Sequence, residues 1–437
     1  MLDKVRPNTQ LGEVVKQFNS TRELTERLCQ SLDVEDYNLQ AIAETSPVKW
    51  HLAHTSWFFE TFILKHYAKS FEPYHPQFEY LFNSYYNAVG KQFRRPERHL
   101  LSRPTVGQIF DYRQKVTEAV NQLLALSGAE SDAEPSAGYD VELLSLIVLG
   151  IHHEQQHQEL LLTDLKYNFY QNPLYPSYLS QAPSKAKQSQ PEKMAWIEFG
   201  SELCSIGADL SDQSRFKFDN ETPQHQHFIN GFKVANRLVT NEEYIEFIEQ
   251  GGYEASELWL SDGWEAKKHK DWQAPLYWFK KNGEWYHFTF NGIERVIGEE
   301  PVAHVSFYEA QAFAEWQGAR LLTEQEWERI AKEQEVRGSF LESENYSPSQ
   351  PEKTGHAVTQ MYGELWQWTS SSYSPYPGYQ PLAGAVGEYN GKFMANQFVL
   401  RGGSCVSSQS HLRHTYRNFF YPDARWQFSG IRLAKDL

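Results

Sequence analysis

The sequence predicts a multidomain chain of two unlike classes, an α-helical bundle followed by an α+β domain. Three observations carry this. Up to about residue 170 the apolar residues recur at helical spacing in long runs. Residues 171–194 are rich in Pro, Ser, Gln and Lys and have no period. From Ala195 onward strands look short, loops long, and Gly and Trp punctuate the rest. At 437 residues the chain exceeds one ordinary core. We therefore expect a helical domain over 1–170, a linker over 171–194 and the α+β domain over 195–437.

Within the first domain, Asn19 to Gln30 reads as a capped helix, with Leu24 and Leu28 at helical spacing. A second helix is expected from Ser46-Pro47, an N-cap followed by proline at the first helical position, to about Tyr67. On it Trp50, His54, Trp57 and Thr61 share one face, and His51, Thr55, Phe58 and Phe62 the adjoining one. The next stretch lacks a clean period and reads as a structured loop. It holds Tyr85 and Tyr86 and an arginine cluster, Arg94, Arg95, Arg98 and Arg103, whose chemistry suits carboxylates. A third helix is expected over Thr105 to Leu126, then a polar loop over 127–140.

The fourth helix, Asp140 to Phe169, organises the domain. Its ends are strongly apolar: Leu143, Leu144, Ile147 and Leu149 before, Leu160 to Leu162 after. Its middle is His152, His153, Glu154, Gln155, Gln156, His157, Gln158 and Glu159. Burying such a run without partners is costly, and a metal ion would compensate. His153 and His157 are four apart, so both imidazoles leave one helix face. A third histidine is available on the second helix as His51 or His54, and spacing does not choose between them. A solvated polar face is the bland alternative. A sharper rival is the zinc-protease pattern HExxH, met letter for letter with Glu154 as general base.

Composition narrows the class. Aromatic content of 15% supports packed domains and aromatic-lined pockets. A net charge of −15 argues against broad binding to nucleic acid or anionic membrane. The three cysteines, Cys29, Cys204 and Cys405, form neither a disulfide framework nor a Cys-rich zinc site. With no apolar leader or spanning stretch, a cytoplasmic protein is expected. In the second domain helices are expected over Asn241–Glu249, Ser306–Gly318 and Thr323–Lys332, with a polar insert from Ser343 to Gly355.

Two resemblances cover most of the chain. The first half resembles the DinB-type helical bundle, a metal-binding four-helix fold. The second resembles the formylglycine-generating-enzyme-like (C-type-lectin-like) fold. The strings that carry it include VTNEE from Val239, ARLLTEQEW from Ala319, GELWQW from Gly363, RGGS from Arg401 and SGIRL from Ser429. Formylglycine generators have a copper-binding cysteine pair after RGGS; here only Cys405 follows, so that activity is not expected. The fusion resembles the iron-dependent sulfoxide synthases of ergothioneine biosynthesis. Their HxxxHxE string is present from His153 to Glu159, and their SPxxWxxxH string from Ser46 to His54.

The resemblance implies Fe(II) held by His54, His153 and His157, since other branches have Asp at the place of His51. It implies O2-dependent joining of cysteine or γ-glutamylcysteine to C2 of the hercynine imidazole, giving a sulfoxide. Three imidazoles leave three positions of an octahedral ion open, close to the facial-triad logic of non-haem iron oxygenases. Asn83-Ser84-Tyr85-Tyr86 resembles the branch with its tyrosines in the helical domain, which implies Tyr85 and Tyr86 as catalytic hydrogen donors. Gln156 would meet the hercynine imidazole, Asn418 and Phe419 its amino-acid end, with Phe419 and Phe420 apt for the trimethylammonium group. Arg95 and Arg98 would hold the sulfur donor's carboxylate, and the second domain would complete the substrate site. Two other classes stand beside this: a sister synthase of ovothiol or selenoneine type, and a non-catalytic binding module.

Overall fold

A computed structural model describes residues 7–133, 141–179, 193–212, 214–351 and 357–437. Residues 134–140 of the expected loop, 180–192 of the expected linker and 352–356 of the expected insert lie outside the described residues. The chain divides into two compact units, the first built chiefly from residues up to Gln171, the second from Asn172 onward. No helix of the described residues is long and apolar enough to cross a membrane.

The first unit is a bundle of four long helices: α1 (Pro7–Arg27), α2 (Val48–Phe59), α3 (Val106–Ala133) and α4 (Val141–Tyr170). Both α1 and α2 pack against α3 and against α4. The apolar spacing explains the packing of α3, whose Ile109, Val116, Val120 and Leu124 are all buried. Every residue of α2 is buried, so it forms the centre of the bundle. It continues through one π turn (Glu60–Leu64) to Tyr67. Where α2 meets α4, a Cβ on Gly150 would lie 2.6 Å from the Phe59 ring. Glycine is thus what lets these two histidine-bearing helices approach.

Three local expectations are corrected. α3 runs on to Ala133, through residues 127–133 of the expected loop. The first helix begins at Pro7, not at Asn19. The Asn19 side chain exchanges hydrogen bonds of 3.0 and 2.8 Å with Asn121 and so fastens α1 to α3. Likewise Pro47, not Ser46, occupies the N-cap of α2. The Ser46 amide donates instead to the Asp164 carboxylate, 2.8 Å away.

The second unit matches the expected short strands and long loops. One four-stranded sheet runs Trp196–Phe199, Phe232–Ala235, Leu433–Asp436, Arg320–Leu321. Another runs Asn418–Phe420, Phe398–Arg401, Trp366–Ser372, Ser429–Gly430. Its helices are α5 (Asn241–Glu249), α6 (Ser261–His269), α7 (Phe307–Trp316) and α8 (Glu324–Ala331). Capping boxes start three of them, Thr240 with Glu243, Ser306 with Glu309 and Thr323 with Glu326. Only α6 was not foreseen; it is polar, and Gly263 alone on it is buried.

A candidate metal centre in the helical unit

Three imidazoles converge inside the bundle. His54 comes from α2, His153 and His157 from successive turns of α4, and one nitrogen of each lies within 4.8 Å of the others. The Nε2 atoms of His54 and His153 are 3.1 Å apart. Two nitrogens bound side by side to one ion, each about 2.1 Å from it, would be separated by about 3.0–3.4 Å. The spacing therefore fits a shared ion.

The rings are held from outside the cluster. His54 lies parallel to Trp50 at 4.5 Å and to Trp57 at 5.3 Å. Its Nδ1 donates to the Phe82 carbonyl at 2.6 Å, which leaves the Nε2 lone pair facing inward. Phe58 stacks on His153 at 4.5 Å. Burial, then the neighbouring histidines, pushes His54 and His157 well below the ordinary imidazole range. Burial lowers His153 to about 3. Neutral imidazoles are the state a metal requires.

His51, the other candidate on α2, stands behind this cluster. Its Nδ1 is 2.9 Å from His157 Nδ1, and its Nε2 is 3.1 Å from Asp164 Oδ2. Neither Asp164 nor this role for His51 was foreseen. A signal existed, since Asp164 follows His157 by seven residues and so returns to the same helix face.

The HExxH reading is corrected. Glu154 points away from the cluster and is completely buried. Its carboxylate takes hydrogen bonds from Arg22 (2.9 Å), Arg113 (2.9 Å) and Thr25 (2.7 Å). Burial alone would raise its pKa, but Arg22 and Arg113 overcome it and hold the group near 2. A carboxylate so committed is no general base.

The other residues singled out in the first unit fall as follows. Tyr86 is fully buried, its ring 5.5 Å from Trp57 and 5.2 Å from Phe62, with the half-buried Tyr85 stacked on it at 4.7 Å. One indole, Trp57, thus separates Tyr86 from His54. Asn83 pins this loop by accepting from the Tyr86 amide and donating to the Tyr86 carbonyl. Gln156 is half-buried on α4.

The arginine cluster does not converge. Arg94 pairs with Glu97 and is exposed, Arg103 is exposed, and the exposed Arg95 donates to the Glu44 carbonyl. Arg98 alone is buried, its guanidinium 3.3 Å over Trp50 and 2.7 Å from Ser46 Oγ. Among the described residues it forms no ion pair and its Nε has no hydrogen-bond partner.

In the second unit, Asn418, Phe419 and Phe420 form an edge strand of the second sheet. Alternation puts Asn418 and Phe420 on one face and Phe419 on the other. Phe419 stacks on Tyr373 at 4.0 Å.

Known proteins resemble both parts. The DinB superfamily model matches residues 17–161. The sulfatase-modifying factor enzyme 1-like domain matches residues 179–357 and 349–437. The helical unit is thus DinB-like and the second formylglycine-generating-enzyme-like. The hercynine oxygenase of Mycolicibacterium smegmatis is 33% identical over 313 residues, 66% of this chain and 71% of that protein. That of Mycolicibacterium thermoresistibile is 28% identical over 456 residues, 98% of this chain and 95% of its own. Ergothioneine biosynthesis protein 1 of Schizosaccharomyces pombe is 23% identical over 289 residues, 59% of this chain and 34% of that protein.

Proposed function

This chain belongs to the hercynine oxygenase family, and from that premise we propose that it is an O2-dependent, non-haem Fe(II) sulfoxide synthase of ergothioneine biosynthesis. It would join cysteine, or γ-glutamylcysteine, to C2 of hercynine. The observation that carries the reading is the convergence of three imidazoles, two buried and one half-buried, whose nitrogens lie within 4.8 Å of one another. His54, His153 and His157 would hold Fe(II), which supplies O2 activation when bound. That donor set is nitrogen only and suits iron as it suits zinc. With Glu154 locked to two arginines, the HExxH hydrolysis reading loses its general base.

The overall reaction balances without an outside reductant. The C2–H and S–H bonds break and a C–S bond forms. One oxygen atom of O2 becomes the sulfoxide oxygen, and the other leaves as water with the two hydrogens. The protein's part is to place the reactants and to handle hydrogen. Tyr86, one indole from His54, and Tyr85 stacked on it are the assigned donors that steer oxidation toward C–S bond formation. Arg98 offers the sulfur donor's carboxylate a buried guanidinium that forms no ion pair among the described residues, with Asp164 the nearby opposite charge. Arg95, exposed and bonded to a carbonyl, would have to reorient to join it. Gln156 for the hercynine imidazole, and Asn418, Phe419 and Phe420 for its amino-acid end, rest on family resemblance.

The test is an anaerobic Fe(II)-loaded reaction opened to air, with hercynine or histidine and with each thiol, read by mass spectrometry. A hercynyl-cysteine sulfoxide is expected. Tyr85→Phe or Tyr86→Phe should shift product toward oxidised thiol while substrate still binds. Product from histidine alone would reassign the chain to the ovothiol type, and no product with any pair would remove the enzyme reading.

A further inference from the structure

Two histidines of α2 face α4, and they stand in different relations to the cluster. His54 aims Nε2 at His153 Nε2. His51 contacts only the back of one cluster member, Nδ1 to Nδ1 with His157 at 2.9 Å. Its other nitrogen meets Asp164 Oδ2 at 3.1 Å, and that oxygen also accepts from the Ser46 amide at 2.8 Å.

One arrangement of protons satisfies all three contacts with neutral rings. An ionised carboxylate only accepts, so His51 Nε2 carries the hydrogen it donates to Asp164. A neutral His51 then has a bare Nδ1, which accepts. The hydrogen between the two rings therefore sits on His157 Nδ1. That leaves His157 Nε2 with its lone pair, on the side of the ring remote from His51. We propose that His51 is a positioning residue, anchored by Asp164, which sets the tautomer and direction of His157 for metal binding. This rests on the metal reading of the triad.

The relay differs from the device behind His54, which is the backbone carbonyl of Phe82. A carbonyl survives any side-chain substitution, whereas the hold on His157 is a pair of side chains and can be removed. Hydrogen-bond partners of metal-bound histidines carry about 10- to 100-fold in metal affinity.

The experiment titrates Co(II) into the metal-free full chain, following its visible bands, with circular dichroism to verify folding. His51→Ala and Asp164→Ala should each weaken Co(II) by about 10- to 100-fold. Combined, they should weaken it little further, because both break one relay. His51→Gln decides the role. Its amide can accept from His157 and donate to Asp164, yet it is a poor ligand. Affinity in His51→Gln should return to within about threefold of wild type, with unchanged Co(II) bands. If His51→Gln binds as weakly as His51→Ala, His51 is a ligand and the proposal fails. Additive losses in the double variant would also overturn it, and so would wild-type affinity in His51→Ala. If alanine variants misfold, His51→Gln alone still decides. Failure of the wild type to bind Co(II) would instead remove the metal reading.

Discussion

Buried charge is mostly paired in the second unit, whereas the first unit holds both a paired cluster and a histidine cluster. In the second unit Arg401 meets Glu324 and Glu328, Arg417 meets Glu324, Arg413 meets Glu221 and Arg425 meets Glu309. In the first unit Arg22 and Arg113 are likewise matched by Glu154. On the same α4, however, His153 and His157 converge with His54, and Asp164 reaches His157 only through His51. Arg98 nearby stacks on an indole and meets a single hydroxyl. Paired buried charges are scaffold, because each already has what burial demands. Inward-facing imidazole lone pairs and a guanidinium without an ion pair are the features that the proposed function would use.

The comparison can be broken most severely at its two poles. Changing His54, His153 or His157 to Ala should take metal binding and turnover to background while the metal-free chain still folds. Glu324→Gln should do the reverse. It strips Arg417 of its carboxylate and should cost the second unit about 3–5 kcal/mol. Denaturant midpoints and Co(II) titration separate the two effects. A Glu324→Gln variant that kept wild-type stability would show that paired charges here are not scaffold.

Arg98 tests the middle of the scale. Arg98→Met leaves no anion stranded, so stability should change little. If Arg98 receives the thiol substrate's carboxylate, losing a charge-assisted bond of about 1.5–3 kcal/mol should raise KM for the thiol roughly 10- to 100-fold. The kcat should hold. A large fall in stability with unchanged KM would return Arg98 to the scaffold.

Much of this division was legible in the sequence, and the rest was not for physical reasons. The apolar ends of α4 around His153 and His157 announced a buried polar site through periodicity alone. The three capped helices in the second unit were readable because Thr240, Ser306 and Thr323 cap locally. What failed depended on partners far along the chain. Glu154 looks catalytic beside two histidines until Arg22 and Arg113 arrive from α1 and α3. Spacing does not separate His51 from His54, three residues apart on one helix; the resemblance selects His54, and Asp164 and the Phe82 carbonyl give the two their different settings. Four arginines looked like a cluster, but only Arg98 turns inward.

Acid offers a smaller test of the second unit. His411 is buried beside the Tyr416 hydroxyl at 3.0 Å. Burial, then Arg413, pushes it well below the ordinary imidazole range. It stays neutral in the fold while the unfolded chain takes a proton below about pH 6.5. Stability is therefore lost as pH falls below that value, by up to about 1.4 kcal/mol per pH unit from this group. His411→Gln should flatten the loss between about pH 6.5 and 5. Tryptophan fluorescence reads it, because of 13 tryptophans only Trp50 and Trp57 lie in the first unit. An equal slope in both proteins would refute the assignment.

The smallest expected effect concerns the choice of thiol. The family resemblance implies that branches selecting γ-glutamylcysteine carry an Asp two residues after the Asn of the Arg-Asn string and an Arg four residues beyond, where this chain has Phe420 and Ala424. Two nearby charges, Asp423 and Arg425, look able to substitute, and the pairing rule of the second unit decides against them. Asp423 is held by Lys270 at 2.6 Å. Arg425 is held by Glu309 at 2.9 Å and by the Ala274 carbonyl, with Trp272 beneath its guanidinium at 4.5 Å. Recruiting either to a glutamyl head would break an existing pair, and for Arg425 would leave the completely buried Glu309 without its cation. Cysteine needs neither group. We therefore expect cysteine to be favoured over γ-glutamylcysteine in kcat/KM severalfold, up to about tenfold, the worth of one ordinary hydrogen bond of roughly 0.5–1.5 kcal/mol. The comparison is made at saturating hercynine and O2. A clear preference for γ-glutamylcysteine would show that one of these paired charges is released for substrate. Lys270→Ala, which frees Asp423, would then identify it by a further gain for the larger thiol.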